Sequence, residues 1–307
     1  MPKACCVADT ARRRAALAVA WLALAGCGGG GDPGASAPPA AAPVPTPAPS
    51  PSPSPTSPPA AGLPAGYRLV WFDEFDLDGL PDTQRWGYDT ERNPFGWYNG
   101  ELQYYAAARY ENTLVSDGRL RITARRESLA GAADWGGQRY TSARLITRGK
   151  GDWTTGFVSV RARLPCGLGT WPAIWMLASQ GDWPAAGELD ILEQVGKDPD
   201  HVFSTVHTTS GSGGNGKGGG TRLNDVCRAF HDYQMHWTPS EIRFGIDGRH
   251  HFTYPNLGQG KAQWPFDSPQ FLILNIAIGG DLGGPVDDAI FPVTMEVDSV
   301  KVWQKPR

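Results

Sequence analysis

No stretch after residue 63 keeps apolar residues at i, i+3 and i+4 for three turns, so a helical core is ruled out. Short runs of alternating or continuous apolar residues recur instead: YRLVWF (67–72), GRLRITARR (118–126), TSARLITRG (141–149), GFVSVRARL (156–164) and WPAIWMLA (171–178). They continue with ELDILEQV (188–195), HVFSTVHT (201–208), HDYQMHWT (231–238), EIRFGIDG (241–248), FLILNIAIG (271–279) and MEVDSVKVW (295–303). Gly, Pro, Asn and Asp punctuate them, and Asp247-Gly248 has the chemistry of a two-residue hairpin turn. Strands without helices bury their apolar faces only against another sheet. The expected fold is therefore all-β, a two-sheet antiparallel sandwich.

The first 62 residues belong to a different regime. Arg12, Arg13 and Arg14 precede AALAVAWLALAG (15–26) and Cys27, which reads as a secretory signal over residues 1–26. The ending Leu24-Ala25-Gly26-Cys27 resembles a bacterial lipobox, which implies cleavage before Cys27 and a lipid on its thiol. Residues 28–62 are nearly all Gly, Ala, Ser and Pro and cannot build a core. Extended at ~3.1 Å per residue, they would hold a domain up to ~100 Å from its anchor. The expectation is a lipidated Cys and linker over 27–62 and one globular domain over 63–307. That describes an extracytoplasmic lipoprotein at the outer membrane or cell surface.

Loss of residues 1–26 removes four basic residues and one acidic one, taking the net charge from −3 to −6. An acidic chain without a basic stripe argues against a nucleic-acid partner. Cys166 and Cys227 remain as an even pair in an oxidising compartment, and a disulfide between them is expected. Two motifs are decoys. GSGGNGKGG (211–219) nearly matches a phosphate-cradling loop but has Gly218 where Ser or Thr would meet Mg²⁺. DLDGLPD (76–82) lacks the bidentate Glu of a calcium loop. The histidines show no metal-ligand spacing, so no catalytic metal is expected.

Parity makes ELDILEQV unusual. In a regular strand Glu188 and Asp190 share one face, and Glu193 falls on the other beside Leu189 and Ile191. An unpaired carboxylate there would cost several kcal/mol. A β-bulge near Ile191-Leu192 would return Glu193 to the face of Glu188 and Asp190. The carboxyls of Glu188 and Glu193 would then lie roughly 5–7 Å apart. Such a gap suits a glycosidase and leaves the stereochemistry open. On the preceding strand Trp171, Ala173 and Trp175 share a face, which predicts an indole platform for sugar rings.

GELDILE resembles the E-x-D-x-x-E signature of glycoside hydrolase family 16, in its laminarinase-like endo-β-1,3-glucanase branch. WFDEFD, NGELQYY, YTSARLITRGK, GTWPAIWML, FHDYQMHWTP, WPFDSPQFLILNIAIGGDLGG and MEVDSVKVWQ resemble that family's blocks in order, across about residues 66–304. The resemblance implies a concanavalin A-like jelly-roll sandwich with a concave glycan-binding cleft, and retaining endo-hydrolysis of β-glucan. It implies Glu188 as nucleophile, Glu193 as general acid/base and Asp190 between them. The charge of its neighbours is expected to keep Glu193 protonated. Asn99, Glu101, Arg144, Trp171, Trp175 and His207 are the implied substrate-binding residues. No cofactor is implied for catalysis, but Glu74, the backbone of Gly118 and Asp298 are the implied ligands of a structural calcium. Leu282 departs from the pattern, standing where many relatives carry Trp.

The expected partners are β-glucan and, through the lipid, a membrane; the chain is expected to act as a monomer. The competing readings are a β-1,3-1,4-glucanase, a hydrolase of galactan-type polysaccharides, and a glucan-binding protein without catalysis. The last would be expected to have replaced Glu188 or Glu193, and both are present.

Overall fold

The structure, a computed structural model, describes residues 60–306. The signal segment, Cys27 and the linker up to residue 59 lie outside the described residues. Two antiparallel sheets of eight strands form the expected sandwich. The back sheet runs Arg249–Pro255, Glu241–Ile246, His231–Trp237, Gly156–Arg163, Val293–Gln304, Arg119–Ala124 and Thr113–Ser116, with Arg68–Asp73 also beside Val293–Gln304. The front sheet runs Lys217–Arg222, Asp198–His207, Glu188–Val195, Thr170–Ala178, Gln270–Ile278, Arg144–Ile146 and Gly87–Tyr88. Asp152–Trp153 also pairs with Gln270–Ile278.

The core is the interior between these sheets. Ile174, Met176, Leu189, Leu272, Leu274 and Ile276 of the front sheet share it with Val158, Val160, Met235, Val297, Val300 and Val302 of the back sheet. Each such side chain contributes about 1.5–3 kcal/mol by leaving water. Alternation then sends the neighbours of these residues outward. Trp171 and Ala277 form a small separate cluster with Val195 on the outer face of the front sheet.

The carboxylate strand Glu188–Val195 is bulged where parity requires it. Asp190 pairs with Trp175 and Leu192 with Ile174, so Ile191 is the extra residue. The other neighbour agrees: Asp190 pairs with Thr205 and Glu193 with Phe203. Ile191 and Leu192 are both buried in the core, and Glu193 rejoins the outer face.

Cys166 and Cys227 are bonded, with Cα atoms 5.8 Å apart, within the usual range for a disulfide. The glycine-rich decoy at 211–219 is a turn leading into the edge strand Lys217–Arg222, with no following helix. Among the described residues no helix is long and apolar enough to cross a membrane.

Candidate active site

Strand register builds the site in cross-sheet rows. Leu177, Glu188 and His207 form one row, Trp175, Asp190 and Thr205 the next, and Ala173, Glu193 and Phe203 a third. The central column therefore carries three carboxyls on one face. Asp190 is 3% exposed and Glu193 8% exposed.

Each carboxyl meets a dedicated donor or neighbour. The Trp171 indole N–H donates to Glu193 Oε1 at 2.9 Å, and the Thr205 hydroxyl donates to its Oε2 at 3.4 Å. The Trp183 indole N–H donates to Glu188 Oε2 at 2.5 Å. His207 Nε2 lies 3.1 Å from Asp190 Oδ2. Glu188 and Asp190 are hydrogen-bonded to each other, which requires a proton between them.

Burial is the largest influence on all three acids, because a desolvated carboxylate loses hydration without gaining a cation. It pushes Glu188 up to about 8, with the Asp190 charge adding to the effect. Glu193 is pushed up to about 7, against the Trp171 hydrogen bond and with the Glu188 charge adding. Asp190 is raised well above the usual carboxylate range, by burial first and then by Glu193. The expectation that neighbouring charge keeps Glu193 protonated thus needs correction: burial comes first. The row titrates as a cluster and still holds protons at neutral pH.

The flanking residues form a second layer. Arg144 pairs with Asp89 at 2.9 Å and lies over the rings of Trp175, at 4.6 Å, and Trp97, at 5.1 Å. Trp175 donates to Asn275 Oδ1 at 2.7 Å, and Asn275 donates to the Tyr105 hydroxyl at 2.9 Å. Glu101 accepts from Gln103 at 2.8 Å and from Asn99; its pKa is raised by burial, against those bonds and the charge of Arg144. Asn99 adopts the left-handed conformation at φ 59°, which Asn tolerates.

Of the six flanking residues expected from the sequence, Trp171 and His207 touch the carboxylate row and Trp175 pairs with Asp190 across the sheet. Arg144, Glu101 and Asn99 connect to it through Trp175, and the indole platform is not as expected. Trp171 is 8% exposed and reaches the row through its N–H rather than an open ring face. The open indole is Trp183, 53% exposed, in the loop before the carboxylate strand. Sequence parity could not find it, because a loop has no fixed side-chain period. Thr205, Asn275, Gln103 and Tyr105 were missed too; only register across non-adjacent strands brings them in.

Ligand atoms of Glu188, Asp190 and His207 lie within 4.8 Å of one another, a donor set with the chemistry to hold a cation. At the implied calcium position, Glu74 pairs with Lys301 at 2.9 Å. Asp298 lies 3.3 Å from Arg161 and 4.0 Å from Arg119. Both carboxylates already face cations, so this arrangement does not fit a divalent ion without displacing them.

Comparison with known proteins supplies the context for this geometry. The family model described as Glycosyl hydrolases family 16 matches residues 101–290. The beta-glucanase of Rhodothermus marinus is 47% identical over 252 residues, 78% of this chain and 85% of that protein. A solved non-specific endo-β-1,3(4)-glucanase from family GH16 superposes with a TM-score of 0.78 at 50% identity, over 81% of this chain and 95% of its own. The laminarinase from Rhodothermus marinus superposes at 0.74 with 47% identity, over 78% of this chain and 98% of its own. With this likeness spanning the sandwich and the carboxylate row alike, the chain belongs to glycosyl hydrolase family 16, on its laminarinase-like branch.

Proposed function

We propose that the protein cleaves internal β-1,3-glucosidic bonds of laminarin-type glucan with retention of configuration. The observation that carries this reading is the bulge at Ile191, which puts Glu188, Asp190 and Glu193 in one row on the same face, the last two of them buried. At rest the Glu188–Asp190 hydrogen bond favours the proton on Glu188; in the reacting form of the cluster that proton sits on Asp190 and Glu188 is the carboxylate. Glu188 attacks the anomeric carbon while Glu193 gives its proton to the departing glycosidic oxygen, and the carbon–oxygen bond breaks. A glycosyl ester on Glu188 results. Glu193, now a carboxylate, takes a proton from water as that water attacks the same carbon and releases Glu188.

Trp171 and Thr205 orient Glu193, and Trp183 orients Glu188 beside an exposed ring face suited to stacking a sugar. Asn99, Glu101, Arg144, Trp175 and His207 line the remaining binding surface. The LAGC motif and the paired Cys166 and Cys227 support an extracytoplasmic, lipid-anchored location, with Cys27 as the lipidated residue.

Reducing-end release from laminarin, curdlan, lichenan and agarose is the direct test, with proton NMR of the first product. Cleavage of laminarin and curdlan to a β-anomer is expected. An initial α-anomer would remove the double-displacement mechanism, and action on agarose alone would move the substrate to galactans. The Glu188→Gln variant is expected to bind laminarin without cutting it. Palmitate labelling of the full chain, lost in Cys27→Ser, tests the anchor.

A further inference from the structure

The bulge that builds the carboxylate row raises an accounting problem. An extra residue in a strand loses its place in the ladder, so its carbonyl needs another partner. The carbonyl of Ile191 finds one inside the core: the Ser204 hydroxyl donates to it at 2.8 Å. Ser204 lies on the inward face of the neighbouring strand between Val202 and Val206, and is 0% exposed. The same hydroxyl meets His251 Nε2 at 2.9 Å.

His251 comes from the opposite sheet, and it too is the extra residue of a bulge. Phe244 pairs with Phe252 and Gly245 with His250, which leaves His251 outside the register. A Cβ on Gly245 would sit 2.8 Å from the Arg249 carbonyl oxygen, so glycine makes this second bulge possible. Proton direction in the chain follows from valence. A carbonyl only accepts, so the single Ser204 proton goes to Ile191, and Ser204 must accept from a His251 Nε2–H. The ring is neutral, its pKa lowered to about 4 by burial and then by His250. Its buried Nδ1 then bears no proton, and it has no hydrogen-bond partner.

We propose that His251 and Ser204 are positioning residues: a relay from one bulge to the other that fixes the spacing of Glu188 and Glu193. This rests on the reading of those two glutamates as the reacting pair. Without the relay, the Ile191 carbonyl loses its side-chain donor in the core, and the strand relaxes at the residue that separates the two acids.

The experiment compares Ser204→Ala, His251→Leu and His251→Gln in the full chain with Val206→Ala, a core truncation on the same strand. Ser204→Ala and His251→Leu are expected to lower kcat on laminarin about 10- to 100-fold, as small misplacements of reacting groups do. KM should stay within about twofold of wild type. His251→Gln, which keeps an N–H donor, should recover most of kcat. Val206→Ala should lower Tm with kcat nearly intact. Wild-type kcat in Ser204→Ala, or losses that merely follow Tm as in Val206→Ala, would overturn the relay. Nitrogen-15 NMR of His251 reads the relay without turnover: the Nε2-protonated tautomer is expected in wild type and its loss in Ser204→Ala. If wild type cleaves no glucan, the functional reading fails and this NMR result alone decides the relay; an unchanged tautomer in Ser204→Ala rejects it.

Discussion

Both sheets carry a row of acidic side chains, and the two rows are built differently. On the back sheet Glu296 pairs with Arg121 at 3.3 Å and also with Arg163, Asp298 with Arg161 at 3.3 Å, and Glu74 with Lys301 at 2.9 Å. Arg119, Arg161 and Arg163 also lie over the ring of Phe230 at 5.0, 5.7 and 5.5 Å. On the front sheet, among the described residues, Glu188, Asp190 and Glu193 have no Lys or Arg ion pair. Their partners are two indoles, a threonine, a histidine and one another. An acid matched by a nearby cation is settled in its charge and adds a modest amount to stability. An acid buried without a cation keeps its proton at neutral pH and has a proton to give.

The contrast breaks most visibly at Glu193. Glu193→Gln is expected to lower kcat on laminarin by about 10²- to 10⁴-fold, the usual worth of a general acid. The loss should be much smaller on an aryl β-glucoside whose leaving group needs no proton. An equal loss on both substrates would take the proton-donor role away from Glu193.

Trp171→Phe sharpens the same comparison by removing one N–H while keeping a ring. That bond lowers the Glu193 pKa, so its loss should move the alkaline limb of kcat/KM to higher pH. The accompanying fall in kcat should be about 10-fold, the worth of a hydrogen bond to a charged group. A limb that stays in place would assign the titration to another member of the row.

The uncompensated row should also leave a mark on stability. Below pH about 4.5 both folded and unfolded chains hold the Glu188 proton. Between there and about 8 the unfolded chain releases it first, so folding becomes less favourable as pH rises. Glu188→Gln removes that dependence, and its Tm should overtake that of wild type by about 5 °C between pH 5 and pH 8. A constant Tm difference across that window would show that Glu188 titrates alike in both states.

The back sheet should give the smallest effects. Arg161→Met removes an exposed ion pair and should change Tm by about 2 °C or less, with activity unchanged. Chelation of divalent ions should likewise move Tm little, because Lys301 and Arg161 already face the acids. A drop of about 10 °C on chelation would show a cation displacing Lys301 from Glu74.

Much of this contrast was legible in the sequence. Alternation gave the strands, the misplaced parity of Glu193 gave the bulge, and the bulge gave the shared face of the three acids. Each is a local property, since side-chain direction along a strand depends only on counting residues. What parity could not supply was solvent exposure. Trp171 and Trp175 share a face as expected, yet one is buried as a donor to Glu193 and the other lies under Arg144. The carboxylates of Glu74 and Asp298 likewise could not be read as neutralised until the strands bearing Lys301 and Arg161 were in place.

The sequence by itself therefore determined a two-sheet β-sandwich and the order of acids along one strand, because the period of a strand is fixed by backbone geometry. Only the tertiary structure decided which acids lost water without gaining a cation, which indole faced outward, and that His251 from the far sheet reaches Ser204 beneath the bulge. Those outcomes depend on the pairing of residues distant along the chain. Desolvation and hydrogen-bond direction exist only once those strands have packed.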